Sequence, residues 1–178
     1  MNLALLKIYL NDHLAGAMGG IELTRRTLSE NPDNAVGGFL RTFLEELEDD
    51  RATLRGVLLA LELPSDGKKQ LLAWVGEKLG RFKSNGSLVS YSPLSRVVEL
   101  EALCLGTEGR LSMWRTLRDL SRKEPRLARF DFTRNVTRAE HHRRALERLR
   151  QEASNEAFAD KKDEGAVLRF TPTERESH

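Results

Sequence analysis

The chain of 178 residues has a formal net charge of +2, one cysteine and four histidines. That length suits a single domain with a real core. The lone Cys104 excludes an intramolecular disulfide, and the histidines lack CxxC or His-x-His spacing, which argues against a zinc module. The amino terminus has no basic stretch ahead of its apolar residues, and Lys7, Asn11 and Asp12 interrupt it. The expectation is therefore a cytoplasmic protein, neither exported nor membrane-spanning, in which the sequons at Asn85 and Asn135 are accidental.

Turn signals cut the chain into long helical segments. The first runs from about Leu3 to Ser29 and stops at Asn31-Pro32; Asp33 or Asn34 then caps a second that reaches about Glu62 before Pro64-Ser65-Asp66-Gly67. A shorter apolar segment, Gln70 to Phe82 with Trp74 inside it, fades into Lys83-Ser84-Asn85-Gly86-Ser87. Ser92-Pro93 reads as an N-cap followed by proline at the first helical position, opening a third long helix to about Leu120, which Glu124-Pro125 breaks. A fourth helix opens near Asp131 or Thr133 and runs to about Ala157. No repeat and no sustained strand alternation accompanies these segments. The predicted fold is all-α: a four-helix bundle over residues 1–157, two helical hairpins joined by a long crossover that contains a short extra helix, then a charged tail over residues 158–178.

Charge is unevenly spread. Residues 1–62 carry six basic and ten acidic side chains, whereas residues 115–151 carry twelve basic and five acidic. The acidic run Glu45, Glu46, Glu48, Asp49, Asp50 is expected to face basic residues of the last helices. Nucleic-acid binding is disfavoured, because no aromatic residues or glycines interleave with Arg138, Arg143, Arg144 and Arg148.

Polar residues interrupt the apolar stripes. On a helical wheel the third helix centres its apolar arc on Val97, Leu100, Cys104 and Leu111, and Glu101, Glu108 and Arg115 fall inside it. The second helix runs its arc through Leu40, Phe43, Leu47, Leu54, Leu58 and Leu61, with Asp50 and Arg51 within. His13 flanks the apolar face of the first helix, and His142 lies between Ala139, Leu146 and Leu149 on the fourth. Buried charges need partners. One partnering is an ion-pair network in which Arg51 and Arg115 neutralise Asp50, Glu101 and Glu108 while the histidines donate to carboxylates. The other is a divalent metal, Fe, Mn or Zn, held by His13, Asp50, Glu101, Glu108 and His142.

This order of parts, hairpin, crossover, hairpin, with carboxylates and a histidine aimed inward, resembles the ferritin-like four-helix-bundle superfamily. In its di-iron members, glutamates on the first and third helices join Glu-x-x-His pairs on the second and fourth. Glu101 or Glu108 matches the third-helix glutamate and His142 the fourth-helix histidine. Ala139 stands three residues before His142, and no pair on the second helix ends in histidine. The resemblance implies an incomplete di-metal pattern. The expected role is a non-catalytic structural or interaction protein without a cofactor, the alternative a metal-binding bundle with redox or storage activity. An unknown protein partner and a homodimer through Leu71–Val75 around Trp74 are expected, with no membrane association. Gly16, Gly19 and Gly20 are read as places where a neighbouring helix comes close, and Cys104 as a core residue.

Overall fold

The computed structural model describes residues 1–65 and 91–159. Among them are four long helices and no strand: α1 (Leu3–Ser29), α2 (Ala35–Ala60), α3 (Pro93–Ser121) and α4 (Phe132–Phe158), with one 3-10 turn at Pro125–Leu127. The expected helix at Gln70–Phe82, the dimer segment around Trp74 and the tail from Asp160 onward lie outside the described residues. No helix among the described residues is long and apolar enough to cross a membrane.

Side-chain caps fix where the helices begin. The Asn2 side chain accepts from the Leu5 N–H, Asn34 from Gly37 and Asp131 from Arg134. Ser92 and Ser95 form a reciprocal capping box ahead of Pro93. The helix α2 ends two residues before the sequence boundary. Its last turn closes with Leu63 N–H donating to Leu58 C=O and Glu62 N–H donating to Leu59 C=O, and Glu62 takes the left-handed conformation (φ 57°).

Paired residues give the helix directions. Arg96 meets Glu156, Arg150 reaches Glu101 and Arg115 meets Glu140, so α3 and α4 are antiparallel. Glu46 meets His142 and Asp50 meets Asn135, so α2 and α4 are antiparallel too. The α1–α2 hairpin and the pairing of α1 with α3, where Arg26 meets Glu99, complete the ring of contacts. Helices α2 and α3 therefore run in the same direction, and the connection from Ala60 to Pro93 has to span the length of a helix, roughly 40 Å at about 1.5 Å per residue.

Two apolar clusters fill the interior. One gathers Leu6, Leu10, Leu54, Leu58, Trp114 and Phe132; the other gathers Ile21, Leu40, Phe43, Leu47, Leu100 and Leu146. The inward face of α3 differs from expectation. Leu103, Thr107, Arg110, Trp114 and Leu117 are buried, whereas the side chains of Glu101, Glu108 and Arg115 are about half exposed. Leu105, 77% exposed, and the half-buried Cys104 draw the hydropathy arc to one side of the real packing face. The polar Thr107 and Arg110 at its centre carry no apolar signal.

Candidate functional site

Between the two apolar clusters lies a layer of charge built around Asp50, which is 3% exposed. Arg110 Nη1 on α3 donates to Asp50 Oδ2 at 3.0 Å. From α4, Asn135 Nδ2 donates to Asp50 Oδ1 at 2.8 Å, and Arg138 Nη2 donates to the same oxygen. Arg138 also reaches Asp49 at 3.6 Å. The Arg110 guanidinium lies over the Phe43 ring, 5.5 Å from its centroid.

The second guanidinium nitrogen of Arg110 fixes the state of His142. Arg110 Nη2 stands 2.8 Å from His142 Nδ1, and a guanidinium has no acceptor, so Nδ1 accepts. The proton of the neutral ring is then on Nε2, which donates to Glu46 Oε2 at 2.5 Å. Burial, helped by the Arg110 charge, pushes the His142 pKa down to about 4, with Glu46 pulling the other way. The Phe43 ring meets His142 edge-on at 4.8 Å and holds its plane. With His142 neutral, two guanidiniums, Arg110 and Arg138, balance two carboxylates, Asp50 and Glu46. Burial works against the charge of Arg110, and Asp50 supports it.

Of the five residues expected to ligate a metal, Asp50 and His142 share this layer and the other three stand elsewhere. Glu101 and Glu108 sit on the outer side of α3 opposite Arg150 and Arg143. His13 packs edge-on against Tyr9 at 4.6 Å, and burial lowers its pKa. The expected counter-ions are displaced as well: Arg115 pairs with Glu140 on the surface, and Arg110 and Arg138 take the role assigned to Arg51 and Arg115. A metal does not fit these residues. The Arg110 guanidinium occupies the space between the carboxylate and the imidazole nitrogen that would have to turn to an ion. Among the described residues no group of three or more His, Cys, Asp or Glu side chains is placed to hold one.

A second polar cluster ties the start of α3 to the α1–α2 turn. Asn31 Nδ2 donates to Thr27 C=O and to the Tyr91 hydroxyl, both at 2.8 Å, and Tyr91 donates to Glu99 Oε2 at 3.0 Å. Arg26 Nε lies 3.1 Å from the other Glu99 oxygen. Burial raises the pKa values of both Tyr91 and Glu99. Burial likewise raises that of Cys104, which keeps the thiol protonated and unreactive at neutral pH.

Sequence reasoning missed Glu99, Arg110 and Asn135 as partners in these clusters, whereas the expected facing of the acidic run and the last helix holds for Glu46 with His142 and for Asp49 and Asp50 with Arg138, and Glu48 pairs instead with Arg25 of α1. A usable signal existed for Arg110: Leu103, Thr107, Arg110, Trp114 and Leu117 follow a four-three spacing in which Arg110 occupies a core position. Comparisons with protein-family models, curated proteins and solved structures return no match.

Proposed function

We propose that the chain is a ferritin-like helical bundle whose metal site has degenerated, and that it works as a non-catalytic structural or interaction protein. The observation that carries this reading is Arg110, which joins Asp50 to His142 where a di-metal bundle places cations between carboxylate and imidazole. A permanent guanidinium charge neutralises the buried acid without any cofactor. The order of helix directions, with α2 and α3 alike and each opposed to its hairpin partner, supports the ferritin-like architecture. An interaction role is supported by the outward-facing Leu5 and Ile8 near the start of α1, 64% and 59% exposed, beside an exposed Met1.

Elemental analysis of protein purified without chelator or added metal is the direct test. We expect less than one tenth of an equivalent of Fe, Mn or Zn, and no rise in melting temperature when these ions are added. Near-stoichiometric metal that is lost in Asp50→Asn would establish the metal-binding alternative instead. Light scattering tests self-association: a dimer mass that reverts to monomer in Leu5→Lys/Ile8→Lys is the expected result.

A further inference from the structure

A groove of about 450 Å³ opens between α1, α2 and α3, in the size range of small-molecule sites. Its walls are glycines. At Gly16 and Gly20 on α1 and at Gly106 and Gly109 on α3, an added Cβ would meet nothing within 4 Å. The reading that Gly16 and Gly20 let a neighbouring helix approach is thus corrected, for close approach would leave no such space. A mid-helix glycine lowers helix stability relative to alanine, and here these glycines make a groove.

Its floor is apolar, formed by Leu47, Leu54, Met113 and Trp114. Its polar lining residues include His13, Asp50, Arg51 and Thr107. Arg51 is half-buried and has no ion pair among the described residues. Thr107, 3% exposed, makes no side-chain hydrogen bond among them. The one carboxylate on the lining, Asp50, is already engaged by Arg110, Asn135 and Arg138. An apolar groove edged by an unneutralised cation suits an apolar molecule that ends in acceptor oxygens.

We propose that this groove binds a small amphipathic carboxylate of the fatty-acid class, with its apolar chain along the glycine walls and its carboxylate at Arg51. The groove borders the Asp50 layer, with Asp50 and Arg110 on its lining, and its ligand binding stands or falls independently of the ferritin-like reading.

The test is a titration of the full-length protein, isotopically labelled at its tryptophan side chains, with dodecanoate, dodecanol and dodecyltrimethylammonium below their micelle concentrations. The reporter is the Trp114 indole N–H resonance, assigned by its loss in Trp114→Phe. Dodecanoate is expected to shift it saturably at one equivalent, and the cationic amphiphile is expected to bind at least about tenfold more weakly. Arg51→Met should weaken dodecanoate by about tenfold and leave dodecanol unchanged. Gly20→Leu and Gly109→Leu, which fill the groove from opposite walls, should each abolish the shift while the melting temperature holds or rises. The proposal is overturned if dodecanoate gives no saturable shift, if the cation binds as tightly as the carboxylate, or if both filled variants still bind like the parent.

Discussion

Asp50 accepts from three side chains on two helices, so its removal strands two guanidiniums inside the molecule. Asp50→Ala is expected to destabilise the fold by roughly 3–5 kcal/mol in urea unfolding, because the loss exposes uncompensated buried charge rather than one contact. Arg115→Ala should cost less than about 1 kcal/mol, since the Arg115–Glu140 pair is solvated. His142 adds a pH dependence whose sign follows from its tautomer. Its pKa is about 4 in the folded protein and near the ordinary 6.5 when unfolded, so the unfolded chain takes up the proton first as pH falls. The stability gained from a neutral His142 is complete above about pH 6.5 and is lost progressively as pH falls towards 4. Buried Glu99, whose pKa is raised, contributes in the opposite sense, with stability rising as its carboxylate protonates. The His142 part is isolated by comparison with His142→Gln: denaturation midpoints of parent and variant should diverge between pH 4 and 6.5 by an amount that changes with pH. A constant offset across that range would refute the assignment.

At the scale of helices and their joints, two backbone positions make opposite predictions. A Cβ at Gly37 would stand 1.8 Å from the Asn31 carbonyl oxygen, so Gly37→Ala must push apart the turn between α1 and α2 and should cost at least about 2–3 kcal/mol in thermal or urea unfolding. Glu62 holds a left-handed conformation that glycine adopts without strain, and Glu62→Gly is expected to stabilise the protein by roughly 1 kcal/mol, read as a rise in the urea midpoint. The helices themselves were legible in the sequence because their ends are written in cap and turn chemistry: Asn34, Ser92-Pro93 and Asp131 are local signals that no tertiary contact overrides. The inward faces of α2 and α4 were legible too, through Phe43, Leu54, Ala139 and Leu146, and they carried Asp50 and His142 inward with them. The face of α3 was not. The exposed Leu105 and half-buried Cys104 pull the apolar arc toward Glu101, Glu108 and Arg115, while the buried Thr107 and Arg110 on the true packing face add no apolar weight to it. The pairings of Arg110 with His142 and of Tyr91 with Asn31 join residues remote in sequence, and no one-helix pattern contains them.

At the scale of the whole molecule, the described residues form two apolar cores separated by a balanced polar layer. Such a layer contributes little net stability but fixes the register of helices that could otherwise slide by a turn. Exchanging it together, as Glu46→Gln, Asp50→Leu, Arg110→Met, Asn135→Leu, Arg138→Met and His142→Phe, is expected to leave stability within about 2 kcal/mol of the parent, unlike Asp50→Ala alone. Calorimetry measures this, and a broadened transition would reveal the lost register. The parallel run of α2 and α3 has a further consequence. Each hairpin is a continuous stretch of chain, and among the described residues the surfaces that join them, the Asp50 layer and the Asn31–Tyr91–Glu99 cluster among them, are made of side chains. These contacts do not themselves depend on covalent continuity between the hairpins. Two polypeptides produced by cutting between Ser65 and Tyr91 should find each other in solution, restore the helical signal of the intact chain and serve as a split reporter whose halves reassemble without any added binding domain.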